Sequence, residues 1–346
     1  MWAVQFRPQA QWQLCHNTTQ ELDMKKEQFD KLVAPVLSQL DKGIIPWDKP
    51  WECEFENGEL SFGVQRSAST NKLYTGWNSI VLQCIADEQG YGNRFWTTYR
   101  QAQKLGAQVN KGEKGTTVFF WKKSSFVVGD SDCTKCSGKP VYKGKPCTQC
   151  EPKNKVSWII KTYTVFNFDQ CTFAEEIPAK FLPKKAKKTS KVDKRQSIKR
   201  AEDIVVKYAK TLKGGIRHGG DRAFYVPTAD RVQLPERDQF KSDSYYYRVA
   251  FHELTHSTGH KSRLDRFSDF KEHRFGSKEY SKEELVAELG ACGLSSFLNI
   301  DPTVERENSI SYLQSWSKAL KDKPKEFIYA SQQAFRGVNF ILKEGL

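Results

Sequence analysis

The chain has 346 residues, enough for two ordinary domains with cores of their own. Its 38% hydrophobic and 28% charged content is that of a globular protein, and no apolar run approaches the roughly 18 residues of a membrane helix. The net charge of +14 excludes an acidic, solvating chain, and nine cysteines without a secretory signal argue against a disulfide framework.

Residues 1–23 are polar with scattered aromatics and are either a disordered leader or an over-long start. From Met24 to Lys42, Phe29, Leu32, Val33, Val36, Leu37 and Leu40 recur at three- and four-residue steps, which predicts an amphipathic helix ended by Gly43. Helices are expected over Asn78–Gln89 and Thr98–Leu105, the latter stopped by Gly106. Thr116–Lys122 and Lys161–Phe168 are rich in β-branched and aromatic residues and read as strands. Residues 24–179 thus read as one α+β domain, with a cysteine-rich insertion at 133–150.

Residues 180–200 hold 10 basic and 1 acidic side chains and form a predicted basic linker. Such a run attracts polyanions, or serves only as a solvated connector. The second domain, 201–346, reads as mostly helical. A helix from about Gln196 to Leu212 leads into a turn-rich stretch with Gly214, Gly215, Gly219 and Gly220. Short strands are expected within Ala223–Leu234. Helices follow at Tyr245–Ser257, at Ser281–Phe297 with Ser281 and Glu284 as a capping box, and around 309–321 and 324–342.

His252-Glu253-Leu254-Thr255-His256 is an H-E-x-x-H sequence. On a helix, residues four apart share a face, so two imidazoles can bind one metal while Glu253 takes a proton from water the metal activates. Chance would give this pattern in roughly 1 of 150 chains of this histidine and glutamate content. A catalytic zinc needs a third protein ligand. His260 lies eight residues after His252, too far along a straight helix, and Ser262 stands where an extended H-E-x-x-H-x-x-G-x-x-H motif needs histidine. The third ligand is therefore sought in Glu283-Glu284-Leu285-Val286-Ala287-Glu288. Glu284 is assigned as the ligand and Glu288 as the group holding a ligand histidine by its other nitrogen, with the reverse open. Glu283 is read as a surface residue.

Cys133, Cys136, Cys147 and Cys150 form two C-x2-C pairs, the spacing of a structural zinc knuckle. Between Arg66 and Lys123 there are 9 basic and 3 acidic residues, interleaved with aromatics. Single-stranded nucleic acid binds grooves of this composition, but the aromatics are equally well explained as core.

Several stretches resemble the N-terminal single-stranded-DNA-binding domain of ArdC antirestriction proteins. They are Lys42–Trp47, Tyr74-Thr75-Gly76-Trp77-Asn78, Arg94–Ala102, Val109–Gly115 and Tyr163-Thr164-Val165-Phe166-Asn167. HELTHSTGHKSRLDR at 252–266, EELVAELGA at 283–291 and the tail from Tyr312 through Phe340 resemble the same family's second half. The resemblance implies two domains, an α+β single-stranded-DNA-binding module and a zincin-like metallopeptidase domain. It also implies a protein that protects mobile-element DNA from host restriction, while the lack of a signal-peptide pattern reads as a cytoplasmic location. It makes the basic, aromatic segment a DNA site, with Tyr74, Trp77, Arg94, Trp96, Tyr99, Arg100, Lys111 and Lys114 as candidate contacts. The four-cysteine insertion and the leader lie outside it. Two rival functions stay open: a DNA-activated metalloprotease that cleaves DNA-bound proteins, and a general zinc metallopeptidase.

Overall fold

The computed structural model describes residues 26–46, 53–56, 59–62, 65–128, 153–178, 181, 194–267, 278–300, 317–318 and 320–346. The four clustered cysteines, most of the basic linker and most of the helix expected at 309–321 lie outside these residues. The fold divides into two compact units, Met1–Gln28 with Val118–Tyr163, and Phe29–Thr117 with Thr164–Leu346.

In chain order the N-terminal half contributes α1 (Lys26–Asp41), β1 (Cys53–Glu56), β2 (Glu59–Phe62), β3 (Arg66–Ser67), α2 (Gly76–Gln89), β4 (Phe95–Thr97), α3 (Tyr99–Lys104), β5 (Ala107–Val109), β6 (Thr116–Val128), β7 (Lys153–Asn167) and β8 (Cys171–Phe173). The C-terminal half contributes α4 (Lys194–Ala209), β9 (Gly215–His218), β10 (Phe224–Val226), β11 (Arg231–Leu234), α5 (Asp243–Ser257), α6 (Lys278–Phe297) and α7 (Pro324–Gly345). Mixed helices and sheets in both halves make the chain α+β.

In the larger unit β3 pairs parallel with β4, and β4 pairs antiparallel with the end of β7, where Trp96 faces Asn167. Thr98 and Gln101 close a reciprocal cap at the start of α3, satisfying backbone donors that a helix start leaves open. Asn167, fully buried, donates from Nδ2 to the Asn93 carbonyl at 2.8 Å and so ties β7 to the approach to β4. Phe95, Phe168 and Phe181 fill the space beneath, with Phe95 and Phe181 edge to face at 5.0 Å between centroids.

The C-terminal half layers α4–α7 beside a small sheet in which β11 lies between β10, antiparallel, and β9, parallel. The turn-rich reading of the glycine stretch missed β9, which forms only because β11 offers it a partner. α6 packs against both α5 and α7. Its approach to α5 is close: a Cβ on Gly290 would sit 2.4 Å from Thr255 Cγ2, so no larger residue fits there. α6 begins at Lys278, which places Ser281 inside the helix rather than at its N-cap. The expected capping box of Ser281 and Glu284 is thereby corrected, and Glu284 is left to other work.

Elements from the two halves pack together within the larger unit. The Trp77 ring on α2 meets Phe327 on α7 edge to face at 5.4 Å, and its Nε1 donates to the Leu32 carbonyl at 3.0 Å.

Candidate metal centre

α5 starts cleanly. The Ser242 side chain accepts from the Tyr245 backbone N–H, and Asp243 sits in the first turn, where a carboxylate suits the positive end of the helix. The helical period then sets His252 and His256 on one face. α6 crosses opposite, held close by the Gly290–Thr255 contact, and presents three carboxylates to the two rings.

The three carboxylates take different positions. Glu284 spans both rings: its Oε2 is 3.4 Å from His252 Nε2 and its Oε1 is 3.5 Å from His256 Nε2. Glu288 stands behind His252, with Oε2 3.6 Å from Nδ1. Glu283 stands behind His256, with Oε1 3.4 Å from Nδ1. His252, His256 and Glu284 can offer one ligand atom each within 4.8 Å of one another, the donor set of a site for a divalent cation. For bonds of about 2.1 Å, ligand atoms in a tetrahedral set stand about 3.4 Å apart, a separation that Glu284 meets through a different oxygen for each ring.

Glu283 corrects the surface reading: only 5% of it is exposed. Arg266 grips it with Nη2 to Oε1 at 2.5 Å and Nε to Oε2 at 3.0 Å. Glu288 is likewise held by Arg248, Nη2 to Oε1 at 2.7 Å. His260 is apart from the cluster, with Nδ1 2.7 Å from the Ser262 hydroxyl. The segment after α5 turns at Gly259, where a Cβ would meet Phe267 at 2.7 Å. Arg263 fastens that segment by an ion pair to Asp230 and by Nε to the Ser257 carbonyl at 2.8 Å.

The electrostatics follow from burial against charge. Burial pulls the His252 imidazole down, but its hydrogen bonds to Glu284 and Glu288 outweigh this and push the ring up to about 10. His256 moves the same way against its own burial, through Glu283 and Glu284. Burial raises the Glu253 carboxyl, and the two histidines only partly offset this. Burial also works against Glu283 ionisation, yet the Arg266 charge and the His256 hydrogen bond hold its carboxyl below the usual range. The Tyr225 backbone on β10 hydrogen-bonds to Glu253, bringing an edge strand beside the prospective base.

The candidate DNA contacts fare differently. Trp77 and Trp96 are 1% and 0% exposed, and Tyr74 is buried too. The Trp96 Nε1 donates to Gln65 Oε1 at 2.6 Å. These three rings are core, spent on helix and sheet packing, and present no face to a base. This corrects their assignment as contacts. Arg94 is half-buried with its guanidinium 5.5 Å from the centre of the Phe95 ring. Tyr99, Arg100, Lys111 and Lys114 are exposed. In the smaller unit two further exposed rings, Phe120 on β6 and Tyr163 on β7, meet edge to face at 5.7 Å. Tyr163 was not among the candidate contacts, because strand alternation does not say which face of a hairpin is covered.

Two family models match the chain: the N-terminal domain of anti-restriction factor ArdC over residues 26–166, and a zincin-like metallopeptidase over residues 200–333. A crystal structure of the antirestriction protein ArdC from the R388 plasmid, bound to Mn(II), is 29% identical with a TM-score of 0.58, covering 92% of this chain and 97% of that one. Its metal-free form is 30% identical with a TM-score of 0.57 and the same coverage. This chain belongs to the ArdC antirestriction family. An uncharacterised protein of Sinorhizobium fredii, y4eC, is 30% identical over 306 residues, 88% of each chain. A DNA primase, TraC, from Escherichia coli is 38% identical over 322 residues, which are 92% of this chain but 20% of the primase. The ArdC-family chain therefore spans about a fifth of that relative. Among its described residues no helix is long and apolar enough to cross a membrane.

Proposed function

We propose that this ArdC-family protein binds single-stranded DNA of an incoming mobile element, shields it from host restriction, and carries a divalent-metal-dependent peptidase-type site. The metal half rests on one observation: Glu284 lies within 3.5 Å of the Nε2 atoms of both His252 and His256. In this reading those three residues are the ligands, zinc is the cation that suits two imidazoles and a carboxylate, and manganese is the one named in the ArdC relative. A bound cation there supplies Lewis acidity, lowering the pKa of water and polarising a carbonyl.

The chain's own groups do the rest. Glu253 accepts the proton of the attacking water, and its raised carboxyl suits a base working near neutral pH. Glu283 accepts from His256 Nδ1 and Glu288 stands 3.6 Å from His252 Nδ1, which directs both Nε2 lone pairs toward the cation. β10, an edge strand next to Glu253, can align an extended peptide by adding it to the sheet. That placement favours, as a second reading, a protease acting on DNA-bound proteins.

The DNA half rests on the exposed Phe120–Tyr163 pair and on exposed Tyr99, Arg100, Lys111 and Lys114, rings for bases and cations for phosphates. Cys133, Cys136, Cys147 and Cys150 are proposed, on spacing alone, to hold a second, structural zinc. The test is binding of labelled single-stranded and duplex oligonucleotides across a salt series, with wild type and Glu253→Gln. Strand-selective, salt-sensitive binding by both supports DNA coating. Absence of binding at moderate salt removes it and leaves a peptidase.

A further inference from the structure

We propose that Arg266 is a positioning residue for the metal centre, acting through Glu283 to fix the ring of His256. The proposal rests on the reading that His252, His256 and Glu284 hold a divalent cation.

The Arg266 guanidinium makes four hydrogen bonds from a side chain only 4% exposed. Two go to the two oxygens of Glu283, the forked geometry in which arginine binds carboxylate most firmly. The other two go to the last turns of α5: Nη1 to Thr258 Oγ1 at 2.7 Å and Nη2 to the Thr255 carbonyl at 2.9 Å. One planar group therefore clamps a carboxylate of α6 onto the stretch of α5 that carries His256. The Glu283 Oε1 it holds is the atom 3.4 Å from His256 Nδ1.

This arrangement selects a tautomer. A carboxylate at Nδ1 keeps the proton there and leaves Nε2 free to bind, on the side where Glu284 waits. Removing Arg266 would leave Glu283 buried without its fork, free to turn from His256.

Arg263, three residues earlier, supplies the control. Its side chain is 3% exposed and also fastens the segment after α5, but its bonds go to Asp230, Tyr225 Oη, Thr211 O and Ser257 O. Loss of either arginine should lower stability, whereas only loss of Arg266 should reach the cation.

The experiment measures Mn2+ affinity by competition with a chromophoric chelator, on full-length wild type, Arg266→Gln, Arg263→Gln and Glu283→Gln, with thermal melts alongside. Arg266→Gln and Glu283→Gln are expected to weaken Mn2+ binding by about 10–100-fold. Arg263→Gln should keep wild-type affinity at a lowered melting temperature. Unchanged affinity in Arg266→Gln, or an equal loss in Arg263→Gln, overturns the proposal. Should Arg266→Gln not fold, Glu283→Gln decides, and wild-type affinity there overturns it. A wild type that binds no Mn2+ removes the metal reading itself and this proposal with it; binding that is indifferent to Arg266 and Glu283 removes the proposal alone.

Discussion

The helix pair α5–α6 and the segment from Arg66 to Lys123 both carry conspicuous motifs, and the fold uses them in opposite ways. In the helix pair, side chains with chemistry converge: two imidazoles and three carboxylates meet across a close helix contact. In the aromatic segment the most conspicuous residues, Trp77 and Trp96, turn inward, and Trp77 joins the two halves of the chain through Phe327. Polar residues at i and i+4 on one helix have few structural reasons to share a face with a buried glutamate, so their pattern points to a site. Aromatic residues have an ample structural reason to be buried, so their abundance points nowhere until burial is known.

The largest effect that could break this contrast is at Glu253. If the helix pair is a hydrolytic site, Glu253→Gln lowers peptide or protein hydrolysis by about 10²–10⁴-fold while Mn2+ binding stays intact. Retained turnover in a protease assay would remove Glu253 from the chemistry. Next is Trp77→Ala, expected to destabilise the fold by about 3–5 kcal/mol in urea denaturation. A loss under about 1 kcal/mol combined with weakened DNA binding would return Trp77 to the DNA surface. Third, Phe120→Ala or Tyr163→Ala should weaken binding of a single-stranded oligonucleotide by about 1–3 kcal/mol with the melting curve nearly unchanged. Equal affinity in fluorescence titration would move the stacking surface elsewhere.

The smallest effect sharpens the helix-pair side through pH. Asp230, which anchors Arg263, is pushed up by burial, but hydrogen bonds from Arg263 and the Lys213 N–H prevail and hold it down to about 2, below its ordinary 3.8. A depressed carboxyl stabilises the fold above its unfolded value and loses that contribution as pH falls through the folded one. The pair should therefore add about 2 kcal/mol above pH ~4, fading toward pH ~2. Unfolding free energies of wild type and Asp230→Asn between these limits should converge as pH drops. Parallel curves would show that Asp230 titrates normally.

What could be read ahead of the structure follows the range of the interactions involved. The shared face of His252 and His256 was legible because a helix alone fixes it, with Glu253 one position along. Glu284 and Glu288 followed from the same period on the next helix. Glu283 did not, because its burial is decided by Arg266, which arrives from an aperiodic segment. The strand at Gly215–His218 was hidden for a like reason: glycines argue for turns, and only the distant partner β11 overrides them. Trp77 was misjudged because its motif says that the residue matters, without saying to what.

In the proposed centre His252, His256 and Glu284 bind one divalent cation. Titration calorimetry with Mn2+, a poor match for a four-thiolate site, isolates that centre from the cysteine cluster. One site per chain is expected in wild type and in Glu253→Gln, with affinity in Glu284→Ala reduced at least about 100-fold. Wild-type affinity in Glu284→Ala would contradict the assignment, and no heat of binding in wild type would contradict the metal centre altogether.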